Sequence, residues 1–293
     1  MSVPLVARAP AKVNLTLRVL GRRADGYHEL ESLVVFADYG DRLTFTPGGA
    51  LSLTLSGATA SEAGADADNL VFKAARALAA RIPDLILGAF HLEKNLPVAA
   101  GLGGGSSDAA AALRLIAQAN KLALDNPHLQ DATRATGADV PVCLDPRPRL
   151  MRGIGEQLSQ PLPLPRLPAV LVNPGVALAT KHVFAGWKTR ARPAAPLDLT
   201  AVATLASSDQ LLQMLQVLPN DLEAPAVALR PVIADVLTAL RGLAGCRLAR
   251  MSGSGATCFG LFASAADADA AAKILCAKYP NWWAQACTLG SGI

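Results

Sequence analysis

A short glycine-rich segment constrains what this chain can fold into more than any other feature. It runs Pro97-Val-Ala-Ala-Gly-Leu-Gly-Gly-Gly-Ser-Ser-Asp108, with glycine at four of the five positions from 101 to 105. Because glycine has no Cβ, such a loop can pass close to a ligand and turn several backbone N–H groups toward it. The apolar pattern predicts a strand over residues 88–94 before the loop and a helix from Ser107 to Ala119 after it.

The succession of strand, glycine loop and helix predicts a phosphate site. Ser106, Ser107 and Asp108 suit the start of a helix, and the free N–H groups and positive dipole end there attract anions. A flexible glycine turn without a ligand is the alternative. The loop has no lysine, unlike a Walker loop, and the spacing Gly101-Leu-Gly103-Gly-Gly105 differs from the dinucleotide fingerprint. The loop therefore indicates a third kind of nucleotide site.

Length and composition allow two modest domains and limit the partners. The chain has 293 residues, of which 52% are hydrophobic, enough for a sizeable core. A net charge of +4 without a block of Lys and Arg argues against nucleic acid and fits small anionic substrates. The oligomeric state, monomer or homodimer, stays open.

The cysteines and the apolar segments bear on location. The five cysteines are widely spaced and form no C-x-x-C, which argues against a disulfide framework or a structural zinc site and for a reducing cytoplasm. The N-terminal residues lack the pattern of a signal peptide. No run of ~18 apolar residues occurs, so no membrane span is predicted.

The order of the predicted elements gives the fold class. Alternating apolar residues predict an antiparallel sheet of about four strands in residues 1–56, with separate strands over Glu29 to Phe36 and Asp41 to Thr46. A helix is predicted over Asn69 to Arg81, with an apolar face of Val71, Ala74, Ala75 and Leu78. The proline-rich residues 160–168 predict a boundary between an N-terminal domain, residues 1–160, and a C-terminal domain, residues 161–293. In the second half, a helix is predicted over Ala224 to Leu240, interrupted near its start by Pro231. The strand, turn, strand, helix and strand that follow predict an α+β fold.

Three further groups of residues could carry chemistry. The segment Met251-Ser-Gly-Ser-Gly-Ala256 could form a second glycine wall, or it could be a hairpin turn. Lys12 and Asn14 lie two positions apart on one face of a strand, where an ordinary surface lysine is the alternative. Asp139 is the candidate base, with a turn or helix-capping aspartate as the alternative. If Asp139 met Lys12 in space, the lysine would help to hold an acceptor hydroxyl.

Five motifs, in this order, resemble those of the GHMP small-molecule kinases. The resemblance spans residues 9 to 262, and its motifs are Pro10-Ala-Lys12-Val-Asn14-Leu, Arg23-Ala-Asp-Gly-Tyr27-His28, Pro97 to Asp108, Gly137-Ala-Asp139-Val-Pro and Ser252-Gly-Ser-Gly-Ala. It implies an N-terminal ribosomal-protein-S5-like domain and a C-terminal ferredoxin-like domain, with the site in the cleft between them. One departure is that residues 145–152 are richer in proline and arginine than this family suggests, which leaves the next strand open.

The resemblance also implies a reaction. ATP, with Mg²⁺, would phosphorylate the 2-hydroxyl of 4-diphosphocytidyl-2-C-methyl-D-erythritol in non-mevalonate isoprenoid biosynthesis, giving the 2-phosphate and ADP. One alternative is a GHMP kinase for homoserine or mevalonate, against which the Tyr27-His28 pair argues because those acceptors carry no cytosine. Another is a non-catalytic homologue that senses ligands, against which Asp139 and Lys12 argue.

The resemblance further implies roles for single residues on the acceptor side. Asp139 would take the proton of the 2-hydroxyl with Lys12 beside it, and Asn14 would bind near the methylerythritol hydroxyls. Tyr27 would stack on the cytosine, His28 would hydrogen-bond its edge, and Phe184 would form the other side of the stack.

On the nucleotide side, the resemblance implies an ATP site built around the glycine loop. Ser106 would be a possible magnesium ligand. The remaining residues implied are Asn69 and Lys94 near the adenosine, and Pro97, Ala99, Ala100, Gly101, Leu102, Gly103, Gly104, Gly105, Ser106 and Ser107 around the phosphates.

Overall fold

The protein is described by a computed structural model that covers residues 3–64, 68–188, 196–205 and 207–290. Met1 and Ser2, part of the N-terminal segment in which no signal peptide is predicted, lie outside these ranges. The strands are β1 Leu5–Asn14, β2 Arg18–Arg22, β3 His28–Pro47, β4 Ser52–Ser56, β5 Gly88–Glu93, β6 Arg149–Gly153, β7 Gln157–Leu158, β8 Leu167–Asn173, β9 Cys246–Met251, β10 Cys258–Phe262 and β11 Trp283–Leu289. The α-helices are α1 Leu70–Ala79, α2 Gly104–Ala119, α3 Pro127–Thr136, α4 Val140–Leu144, α5 Thr180–Gly186, α6 Leu199–Ala203, α7 Ser208–Val217, α8 Glu223–Leu229, α9 Val232–Arg241 and α10 Ala265–Lys278.

The strands pair around β3, which is 20 residues long. It pairs antiparallel with β1, β2, β5 and β6. At the far side, β11 joins β3 at the single pair Leu289 and Ala37, and the order continues through β8, β10 and β9. Mixed strands and helices in this arrangement confirm the α+β fold class. The domain boundary at residues 160 and 161 stays a prediction.

The first sheet differs from the predicted one at two places. Two strands were expected on either side of Gly40, but β3 runs through it. A Cβ at Gly40 would lie 2.2 Å from the carbonyl oxygen of Ala9, so the glycine marks a close approach of β1 and not a strand end. The sheet is also not wholly antiparallel, because β4 pairs with β5 in parallel.

Small side chains bring helix α2 close to the sheet. Four consecutive alanines from Ala109 to Ala112 are fully buried, and the helix contacts α1, α4 and β1. Helix α1 buries the predicted apolar face of Val71, Ala74, Ala75 and Leu78. This packing holds the first turn of α2 against β1, where the candidate residues Lys12 and Asn14 lie.

The strand that the sequence left open does form: β6 begins at Arg149, within the proline- and arginine-rich residues 145–152. Asp145 makes ion pairs with Arg147 and Arg149.

In the C-terminal half, Pro231 separates α8 from α9 where one interrupted helix was predicted. No helix within the described ranges is both long and apolar enough to cross a membrane.

Candidate active site

The glycine loop turns directly into helix α2. Gly101 and Gly103 have φ of 78° and 61°, a left-handed conformation that glycine adopts without steric cost. The helix begins at Gly104 with Gly103 as its N-cap, three residues before the predicted start at Ser107, so no Ser106, Ser107 or Asp108 side chain caps it. The first turn of a helix has N–H groups without intrahelical acceptors. These groups therefore belong to the glycine loop itself.

A cavity of 460 Å³ lies over this loop. Of the twelve residues predicted to bind ATP, Leu102 and Ser107 are buried behind the wall. The other ten line the cavity: Asn69, Lys94, Pro97, Ala99, Ala100, Gly101, Gly103, Gly104, Gly105 and Ser106. Asn69 also caps helix α1, since its side chain accepts a hydrogen bond from the N–H of Val71.

Lys94 lies in a buried ionic cluster that sequence reasoning missed. Its ammonium nitrogen is 2.5 Å from Oδ2 of Asp41 and 2.8 Å from Oδ2 of Asp108. Burial alone would lower the pKa of Lys94, but the charges of Asp108 and Asp41 outweigh it and raise that pKa. Burial raises the pKa of Asp108 to about 8. Because a Cβ at Gly104 would lie 3.2 Å from Nζ of Lys94, this cluster supports the loop from below.

The candidate base and the candidate lysine meet. Nζ of Lys12 is 2.8 Å from Oδ2 of Asp139, and Oδ1 of Asp139 has no hydrogen-bond partner among the residues that the structure describes. Asp139 stands at the N-cap of α4, but its side chain makes no capping hydrogen bond. The carboxylate of Asp139 therefore pairs with Lys12 and does not cap helix α4.

The lysine is fixed from the side of the glycine loop. Its backbone N–H donates to the carbonyl of Leu102 at 2.8 Å. A Cβ at Gly103 would lie 3.1 Å from Cβ and from Cε of Lys12, so the glycine backbone runs close beside the aliphatic part of this side chain. The side chain of Lys12 is 6% exposed and that of Asp139 is 38% exposed. Lys12 is thus buried behind the half-exposed carboxylate of Asp139.

A second cavity measures 340 Å³ and adjoins the first, because Ser106 lines both. Lys12, Asn14 and Asp139 all line it. The Asn14 side chain donates to Oγ of Ser32 at 2.6 Å, while its own Oδ1 is buried without a partner in the described part of the chain. A ligand hydroxyl could satisfy that oxygen.

A third cavity, of 760 Å³, contains the predicted cytosine-binding residues. Tyr27, His28 and Phe184 line it together with Trp187. The His28 ring stacks on Phe184 with centroids 5.0 Å apart, which leaves no room for a base between these two rings. Burial, and to a lesser extent Arg22, lowers the pKa of His28. Helix α5, which carries Phe184, was not predicted.

The second glycine-rich segment, residues 251–256, forms a turn and also part of a cavity wall. It joins the antiparallel strands β9 and β10. Oγ of Ser252 donates to the carbonyl of Gly101 at 3.2 Å, and a Cβ at Gly101 would lie 2.6 Å from the carbonyl oxygen of Gly255. Gly253 and Ser254 line the second cavity. The segment therefore supports the glycine loop and closes the space beside Asn14.

Comparison with known proteins places this geometry in a family. The sequence profile of the GHMP kinases N terminal domain matches residues 69–145, and that of the GHMP kinases C terminal matches residues 198–281. A 4-diphosphocytidyl-2-C-methyl-D-erythritol kinase of Rhodopseudomonas palustris is 58% identical over 287 residues, which is 96% of either chain. Another, of Methylobacterium radiotolerans, is 58% identical over 281 residues, covering 95% of this chain and 97% of the relative.

A solved structure agrees with these relatives. The crystal structure of a 4-(cytidine 5'-diphospho)-2C-methyl-D-erythritol kinase superposes with a TM-score of 0.78 at 35% identity, covering 98% of this chain and 100% of that one. The chain belongs to the 4-diphosphocytidyl-2-C-methyl-D-erythritol kinases of the GHMP kinase family. The predicted family is thereby confirmed, and with it the expectation of an ATP-dependent small-molecule kinase.

In this GHMP kinase the predicted site residues other than Leu102 and Ser107 line three adjoining cavities, while their individual roles stay predictions. Sequence reasoning missed Asp41 and Asp108 as partners of Lys94. The Ser-Ser-Asp sequence carried a signal for Asp108, but it was interpreted as a helix start. Asp41 lies 53 residues from Lys94, and no local pattern links the two.

Proposed function

We propose that the chain transfers the γ-phosphoryl group of ATP to the 2-hydroxyl of 4-diphosphocytidyl-2-C-methyl-D-erythritol, giving the 2-phosphate and ADP. The observation that carries the proposal is the Lys12–Asp139 pair in a cavity that shares Ser106 with the cavity over the glycine loop. Phosphoryl transfer needs mostly positioning and charge neutralisation. A glycine loop, one lysine and one carboxylate at the junction of two cavities meet that need. We place the reaction in non-mevalonate isoprenoid biosynthesis in the cytoplasm.

The chain's own residues divide the chemical work. ATP lies in the 460 Å³ cavity with its phosphates toward the N–H groups at the start of α2. The acceptor hydroxyl lies beside Asp139, whose Oδ1 takes the proton as the hydroxyl oxygen attacks the γ-phosphorus. Lys12 holds the carboxylate and neutralises charge on the oxygens of the transferring group. Oδ1 of Asn14 accepts a hydrogen bond from a hydroxyl of the methylerythritol.

The site also fits Mg²⁺ bound mainly by the nucleotide. No group of three or more His, Cys, Asp or Glu side chains in the described ranges could hold a metal by itself. Ser106 lines both cavities, and its hydroxyl is a hard oxygen donor of the kind that Mg²⁺ takes in small number alongside phosphates and water. The ion would neutralise charge on the phosphate oxygens.

Tyr27 offers a test of cytidine recognition. We expect Tyr27→Ala to raise KM for the cytidyl acceptor by about tenfold, since stacking on a base contributes about 1–3 kcal/mol, and to leave KM for ATP within about twofold. Tyr27 is exposed in the 760 Å³ cavity and does not line the ATP cavity, so its loss removes a contact without emptying a core. Steady-state kinetics with each substrate varied in turn measures both constants. An equal rise in the two values would rule out the stacking role.

The product itself tests the proposed function. Phosphorus NMR of a reaction with ATP, Mg²⁺ and the cytidyl acceptor should show a new phosphomonoester signal while the acceptor's diphosphate signals persist. Digestion of the product with a phosphomonoesterase should regenerate the acceptor. A mixture that forms ADP and free phosphate alone would contradict transfer to the acceptor.

A further inference from the structure

The segment Asn220-Asp221-Leu222-Glu223, just before and at the start of α8, belongs to none of the motifs described above. Its three polar side chains all bond to backbone groups far away in the sequence. Oδ2 of Asp221 accepts a hydrogen bond from the N–H of Val19 at 2.9 Å. Oε2 of Glu223 accepts one from the N–H of Met251 at 2.9 Å. The segment therefore connects strand β2 with the end of strand β9.

Asn220 is the centre of this connection. Its Nδ2 donates to the carbonyl oxygens of Met251 and Gly253, at 2.8 Å each. Its Oδ1 accepts from the N–H of Leu222 at 3.0 Å. Both amide protons are thus used on one short turn, at Met251 where it begins and at Gly253 within it, and Asn220 is 6% exposed. No other residue type of this size presents two donors and one acceptor in that plane.

The turn that Asn220 holds lines the 340 Å³ cavity that contains Lys12, Asn14 and Asp139, called the acceptor cavity from here on. A Cβ at Gly253 would lie 3.2 Å from Oδ1 of Asn14, the buried oxygen without a partner. The next residue, Ser254, shares a hydrogen bond of 2.8 Å with the hydroxyl of Thr180. Gly253 and Ser254 both line the acceptor cavity, and neither lines the cavity over the glycine loop.

We propose that Asn220 is a positioning residue for acceptor binding: its side-chain amide sets the turn at Gly253, and through it the acceptor cavity beside Asn14. This inference rests on the proposed function. Asn220 lines neither that cavity nor the ATP cavity, so it acts only through the backbone that it holds. Gly253 and Ser254 line the acceptor cavity and not the ATP cavity, whereas Ser252 of the same turn donates to Gly101 of the glycine loop. A shift of the turn therefore affects acceptor binding more than ATP binding.

The test compares two asparagines with the same bonding pattern. Asn220→Asp keeps the shape and the acceptor for Leu222 but points an oxygen at two carbonyl oxygens. Asn120 also donates to two carbonyls, those of Ile86 and Ile116, and accepts one N–H, far from the site at the end of α2. Asn120 is half-buried and Asn220 is buried, so Asn120→Asp matches the hydrogen bonds that are lost and is the control for loss of stability alone.

We expect Asn220→Asp to raise KM for the cytidyl acceptor by about tenfold, because a carboxylate repelled by two carbonyl oxygens leaves these groups unpaired and shifts the turn beside Asn14. KM for ATP should rise by a smaller factor, and an equal rise in the two constants would overturn the proposal. Asn120→Asp should leave both constants unchanged although its Tm also falls. An unchanged acceptor KM in Asn220→Asp, or equal changes in the two variants, would overturn the proposal.

If Asn220→Asp yields no folded protein, Asn220→Ser, which places no charge against the carbonyls, is measured in its place with the same expectation. Failure of both to fold would overturn a positioning role in favour of a purely structural one. Absence of turnover in the unaltered protein would overturn the proposed function together with this inference, whereas an active protein with an insensitive Asn220 overturns the inference alone.

Discussion

Asp139→Asn should lower kcat by about 10²–10⁴-fold, the usual contribution of a general base, while ATP binding stays within about twofold. Asparagine keeps the shape and still offers an oxygen to Nζ of Lys12, now 2.8 Å from the carboxylate. It cannot take a proton from the acceptor hydroxyl. The loss should therefore appear in turnover and not in nucleotide affinity.

Asp131→Asn is the control for this substitution. Asp131 lies on α3, close in sequence, and forms an exposed ion pair with Arg134. It lines none of the three cavities, so its turnover should match that of the unaltered protein. Turnover is measured by ADP release at saturating substrates, and ATP affinity by titration calorimetry. A turnover of Asp139→Asn within about tenfold of the unaltered protein would exclude Asp139 as the base.

Glu31→Gln should destabilise the fold by about 3 kcal/mol, because removing one partner of a buried ion pair leaves the others uncompensated. Glu31 is fully buried on β3. Its Oε1 is 2.8 Å from Arg18, and its Oε2 is 2.9 Å from Arg152, which is 31% exposed and so contributes less. The N–H of Leu197 also donates to this carboxylate, at 2.9 and 3.1 Å.

Urea unfolding of Glu31→Gln against the unaltered protein measures the effect. Asp131→Asn again serves as control, since exposed ion pairs contribute little. We expect Glu31→Gln to lower the midpoint with little change in slope. A decrease in the free energy of unfolding of less than about 1 kcal/mol would show that the ion pairs of Glu31 contribute little to the stability of the fold.

Local patterns predicted the elements whose residues repeat with a clear period. The buried face of α1 was predicted residue by residue because helix periodicity is a property of neighbours in the chain. The continuity of β3 through Gly40 was not predicted, since the reason for that glycine is the carbonyl of Ala9 on another strand. Short α5, with no periodic face, left no signal either.

In the candidate site, too, local patterns indicated some residues, whereas contacts between distant parts of the sequence were not predicted. Local patterns made Lys12 and Asp139 candidates and the motif resemblance supported them, while the structure shows that they lie 2.8 Å apart across 127 residues of sequence. Nothing local indicated that Lys94 would be enclosed by two carboxylates, or that Asn220 would hold the Gly253 turn. Pairs of this kind depend on the folded topology, which a single sequence does not display.

A coupled ADP-release assay with ATP, Mg²⁺ and three acceptors, 4-diphosphocytidyl-2-C-methyl-D-erythritol, homoserine and mevalonate, tests the proposed reaction directly. We expect turnover with the cytidyl compound alone. Turnover with homoserine or mevalonate, or ATP binding without turnover of any acceptor, would contradict the proposed reaction.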